Sequence, residues 1–185
     1  MNTHKWTGQI DKTTRDFREA FGSLHHEQLN WKPDSRTWGI AQNIDHLIVI
    51  NSTYFPIFEA IRKGVYHLPF LANFNFVVSF LGKSVLKAVQ PERKNKMKTF
   101  SIWEPGNSEF APDILKKFEE QQARLKQWVE QSGDLLDKGT IISSPANKMI
   151  VYKLETAFDI IVTHEQRHFN QAKEVLATLA VMRIS

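Results

Sequence analysis

The segment THEQRHFNQ places His164 and His168 four residues apart. On a helix that spacing is about one turn, so both imidazoles leave the same face and can close on one metal ion. Two unrelated surface histidines meet the same spacing, and a ligand from another element must decide between the readings. The stretch WGIAQNIDHLIVI offers one: His46 lies beside the apolar stripe of Ile44, Leu47 and Ile48. A lone histidine in that setting is more often a hydrogen-bonded core residue. Added to a helix that already supplies two nitrogens, it would complete a three-histidine face with positions left for water or substrate. Three neutral nitrogens suit zinc, nickel or ferrous iron. The chain has no cysteine, which removes thiolate metal sites, disulfides and a protein thiol nucleophile.

The other polar candidates are graded by their spacing from this pair. Gln171 follows His168 by three residues and is a candidate to orient an imidazole or touch substrate, while Asp45 and Glu165 each flank a candidate ligand. Exposed helix charges explain the two acids equally well. His25 and His26 point about 100° apart on a helix and cannot easily share an ion. His4 near the terminus and His67 in an irregular stretch read as exposed. Arg93, Lys94, Lys96 and Lys98, with Phe100 and Trp103 beyond, superficially resemble a nucleic-acid patch but read better as a solvated loop. No phosphate-binding loop, dinucleotide-binding glycine motif or serine-hydrolase elbow occurs.

These residues need rigid elements to meet. Apolar spacings of three and four predict amphipathic helices over about 4–24, 38–62, 112–131 and 154–181, with a further aromatic-rich helix around 70–89. Thr37 is the expected cap of the second helix, Pro56 its kink and Gly64 its stop, and Gly133 should end the helix before it. Residues 139–153 read as a short hairpin or an irregular crossover. Four amphipathic helices with long connections suggest an all-α four-helix bundle. At 185 residues and 21.5 kDa, one domain spanning 1–185 is expected. A net charge of +4 spread along the chain predicts no nucleic-acid partner. Asn73, Asn75, Ser79, Gly82, Lys83 and Ser84 interrupt the apolar stretch 68–86, so no membrane span is expected there. The first ten residues lack the apolar run of a signal peptide, and a cytoplasmic setting is expected. Phe70 to Leu86 exceeds what a simple bundle connection requires and predicts either a pocket cover or a homodimer contact.

The chain resembles the DinB/YfiT-like metalloenzyme superfamily. The resemblance rests on the aromatic helix start at Trp38 leading to His46-Leu47, on His164, His168 and Gln171 of the last helix, and on the upstream LNWKP. It implies an up-down-down-up bundle in which His46, His164 and His168 hold a divalent metal, commonly zinc or nickel. The long stretch 65–107, read as a helical insertion between helices two and three, departs from the compact form. Members of that superfamily include thiol S-transferases that use bacillithiol and maleylpyruvate isomerases that use mycothiol. A thiol S-transferase or detoxification activity is therefore implied, with a small electrophile and a low-molecular-weight thiol as partners. A metal-dependent hydrolase, for which Glu165 would be the candidate base, and a non-catalytic metal-binding stress protein are the alternatives.

Overall fold

The computed structural model describes residues 3–92, 99–106 and 109–182. Buried side chains recur at helical spacing along four long segments: α1 (His4–Phe21), α3 (Ile40–Ser52), α6 (Ile114–Glu130) and α8 (Leu154–Met182). The short α2 (His26–Asn30) follows α1, and α4 (Phe55–Arg62) follows α3. A 3-10 turn at Phe70–Asn73 leads into α5 (Asn75–Ala88). Ser101–Trp103 forms a second 3-10 turn, and α7 (Gly133–Asp137) follows α6. Strands β1 (Ile141–Ser144) and β2 (Asn147–Lys153) pair antiparallel as a hairpin, which settles the alternative left open for that stretch.

Cross-helix contacts give the directions. Arg18 meets Glu119 at 2.6 Å while Asp11 meets Lys126 at 2.7 Å, so α1 and α6 run antiparallel. Trp6 packs on Phe158 and Phe17 on Phe169, so α1 and α8 run parallel. Asn43 pairs with His168 and Asn51 with Glu165, so α3 opposes α8. The bundle is up-down-down-up, and α1 and α3 each lie between α6 and α8.

The apolar interior of the bundle is split in two, and a third, smaller cluster of Ala72, Val78 and Val151 joins α5 to the hairpin. Trp6, Ile10, Tyr54, Phe58, Leu125 and Phe158 belong to one cluster; Phe17, Phe21, Ile44, Phe118 and Val175 belong to the other. Each such side chain contributes about 1.5–3 kcal/mol by leaving water. Helices α1, α6 and α8 each pass from one cluster to the other, whereas α3 lies with the Phe17 cluster and the Trp6 cluster resumes at Tyr54 beyond its end; buried polar residues stand at these boundaries: Thr13, Asn51, Gln121 with Gln122, and Glu165.

Several local expectations are corrected. The second helix does not run through Pro56 with a kink. It stops at Ser52 and restarts as α4, with Pro56 in the first turn, because proline has no N–H and its ring collides with the carbonyl four residues back. Thr37 does not cap α3; its hydroxyl bonds Asp34, and Gly39 precedes the helix with its N–H donated to Gln42 Oε1 at 3.1 Å. A Cβ at Gly39 would stand 2.7 Å from the Trp31 carbonyl, so the close approach of the LNWKP segment requires glycine there. Gly133 begins α7 rather than ending α6. The insertion is helical through α5, and the basic run Arg93, Lys94, Lys96 and Lys98 lies outside the described residues. Among the described residues, no helix is long and apolar enough to cross a membrane.

Candidate metal centre

His46 on α3 and His164 and His168 on α8 converge: each offers a ring nitrogen, and these atoms lie within 4.8 Å of one another. His46 and His168 are buried and His164 is half-buried. Ring centroids stand 4.5 Å apart for His164 and His168, 4.6 Å for His46 and His168, and 5.1 Å for His46 and His164.

The outer nitrogens fix the tautomers. His46 Nδ1 lies 2.7 Å from the Trp103 carbonyl, which can only accept, so the proton sits on Nδ1. His168 Nδ1 lies 2.8 Å from Asn43 Oδ1, and the Asn43 amide is set by its own Nδ2 donating to the Gly39 carbonyl at 2.9 Å. His168 Nδ1 therefore donates, and the Nε2 of each ring carries its lone pair into the cluster. His164 Nε2 and His168 Nε2 stand 3.0 Å apart. Two nitrogens bound to one ion at about 2.0–2.1 Å lie roughly 3 Å apart, so the donor set fits a divalent metal in chemistry and in spacing.

Electrostatics agree. Burial pushes His46 below the ordinary imidazole value, against the pull of the Trp103 carbonyl. Burial drives His164 and His168 well below it, helped by the neighbouring imidazoles and by Arg167. All three rings are neutral at pH 7, the form that can ligate.

The surrounding chain explains how the rings are held. Trp38 packs against His46 at 5.0 Å and stacks on His168 at 5.8 Å. Gln42 Nε2 donates to the Gly106 carbonyl at 3.1 Å, tying the 99–106 segment to α3 and bringing the Trp103 carbonyl over His46. Asn43 and the Trp103 carbonyl were not singled out from the sequence. Asn43 had a signal, being three residues before His46 on one helical face; a backbone carbonyl has none.

The remaining candidates lie apart from this cluster. Glu165 is fully buried on another side of α8, where its Oε1 accepts from Asn51 Nδ2 at 2.7 Å and Gln122 Nε2 at 2.9 Å. Burial pushes its carboxyl up to about 7, against the pull of those two amides. Gln171 is half-buried, and among the described residues no hydrogen bond joins it to the imidazoles. Burial raises the Asp45 carboxyl, against a bond from the Gly106 N–H. His26 bonds the Phe110 carbonyl at 2.7 Å, and His4, His25 and His67 are exposed.

An up-down-down-up helical bundle that gathers one histidine from its second long helix and two from its last defines a class of potential metal-binding proteins. The sequence pattern of the DinB superfamily matches residues 9–172, and the chain belongs to that superfamily. Comparison with curated proteins and with solved structures returns no match.

Proposed function

We propose that the protein is a divalent-metal-dependent enzyme, most simply a thiol S-transferase with a detoxification role, in which His46, His164 and His168 hold zinc or nickel. The observation that carries this reading is the pinning of the His46 and His168 Nδ1 protons, by the Trp103 carbonyl and Asn43, so that the Nε2 lone pairs converge. A divalent ion bound there supplies Lewis acidity that lowers the pKa of a cosubstrate thiol. The chain's own residues present three neutral donors, hold them in register through Asn43 and Gln42, and shield one side with the Trp38 ring. The missing protein cysteine is no obstacle, because a low-molecular-weight thiol, as found in a cytoplasmic setting, brings the sulfur, and a small electrophile receives it. Hydrolysis at the same site would want a general base beside the ion. Glu165 is engaged instead by Asn51 and Gln122, which favours thiol transfer.

The test is metal analysis of purified protein followed by thiol-conjugation and ester-hydrolysis assays, with and without chelation. Conjugation that requires the metal supports the proposal. A fully metallated protein inactive in both assays would make this a non-catalytic metal-binding protein.

A further inference from the structure

The insertion carries a surface that the metal site does not use. Phe70 and Phe76 are each 74% exposed and Phe80 is 68% exposed. Phe70 and Phe76 both pack against Phe74, with centroids 5.3 and 6.2 Å apart, so the rings form one patch. Contiguous exposed apolar patches are uncommon on soluble monomers and mark interaction sites. The opposite face of α5 is committed: Val78 and Gly82 are buried, and a Cβ at Gly82 would stand 3.0 Å from Tyr152 Cβ and 3.1 Å from Thr156 Cγ2. The helix cannot roll to hide its phenylalanines without losing that contact.

Charge identifies the occupant. Phe76, Phe80, Lys83 and Lys87 follow at spacings of four, three and four, so they form one exposed stripe that is aromatic at its start and cationic at its end. No Asp or Glu occurs between Glu59 and Glu92. From Lys63 to Lys98 the sequence holds seven basic residues and one acidic, a balance of +6 in a chain whose total is +4. An apolar patch edged by lysines, on a segment that itself holds no carboxylate, complements a surface that is anionic outside and apolar beneath. Two copies meeting through this face would bring Lys83 and Lys87 together with no acid of the stripe to pair them. We propose that the outer face of residues 70–87 is a peripheral docking site for anionic phospholipid bilayers, with Phe70, Phe76 and Phe80 entering the interface and Lys83 and Lys87 on the headgroups. The proposal is independent of the metal chemistry.

The experiment is co-sedimentation with vesicles of phosphatidylcholine alone and of phosphatidylcholine with phosphatidylglycerol in equal parts. The full chain should bind the anionic vesicles, bind the neutral ones far more weakly, and release as salt rises. Phe76→Ser combined with Phe80→Ser should cut binding by about tenfold or more. Lys83→Glu combined with Lys87→Glu should cut anionic binding by about fivefold per lysine. All four side chains are exposed, so helix content and metal content should match the parent. Absence of binding to anionic vesicles, or equal binding by parent and variants, would overturn the proposal. So would a parent dimer, split by the two Phe substitutions, that ignores vesicles.

Discussion

His164 and Glu165 are neighbours on α8, yet they serve two polar regions of opposite character. In the histidine cluster the outer nitrogens of His46 and His168 are engaged by oxygen acceptors, so the Nε2 lone pairs of these two rings turn inward, and His164 Nε2 stands 3.0 Å from that of His168. In the Glu165 region one carboxyl oxygen collects two amide donors, while Glu165 Oε2, Gln122 Oε1 and both polar atoms of Gln121 have no hydrogen-bond partner among the described residues. The first is a set of converging donors that a cation would complete. The second is a buried polar layer where the bundle changes from one apolar cluster to the other, and its carboxyl sheds cost by keeping its proton. Burial acts on both regions, and what differs is whether the leftover electron pairs converge on one point.

The largest expected effect breaks the first region. His168→Ala should weaken metal binding by more than about 100-fold, beyond the range typical of residues that only orient a ligand, with the fold retained because both apolar clusters are untouched; calorimetric titration reads the affinity and circular dichroism the fold. Asn43→Ala removes the acceptor behind His168 and should cost about 10–100-fold in metal affinity. An unchanged affinity would show that the Nδ1 proton does not need fixing.

Glu165→Gln separates the two regions. Metal affinity should stay near that of the parent, while stability changes with pH. A carboxyl raised to about 7 in the folded chain contributes stability that is fully present below its ordinary range near 4.5 and lost as pH rises through 7. The amide variant keeps an acceptor for Asn51 and Gln122 without that loss. Metal-free Glu165→Gln should therefore exceed the parent by on the order of 2 kcal/mol at pH 8, and by much less at pH 5, in urea unfolding. The smallest effect concerns acid. Because the three imidazole values are lowered, metal content measured after dialysis should not change as pH falls from 7 through 6.5, and release should begin below that point. The same direction means that histidine-linked stability of the metal-free protein is present above 6.5 and is lost as pH falls further.

Legibility in the sequence followed the range of the physics involved. Helical periodicity is local, so α1, α6 and α8 were readable from their apolar spacing, and α8 emerges at Leu154–Met182 against an expected 154–181. The break before Pro56 and the glycine start of α3 depend on a steric clash and on the approach of Trp31, which periodicity does not register. His164 and His168 were legible because one helix fixes their separation. His46 was legible through its motif, whereas its tautomer depends on a carbonyl 57 residues away. Glu165 shows the limit most clearly: one residue past a candidate ligand, it looks like part of the site until helix rotation turns it toward Asn51 and Gln122.

The central claim is that these three imidazoles form one metal shell, and X-ray absorption at the zinc edge of the loaded protein tests it most directly. The expected spectrum has three imidazole nitrogens at about 2.0–2.1 Å in the parent, with one fewer in each of the His46→Ala, His164→Ala and His168→Ala variants. A parent shell with fewer than three imidazoles, or the same shell in all four proteins, would contradict it.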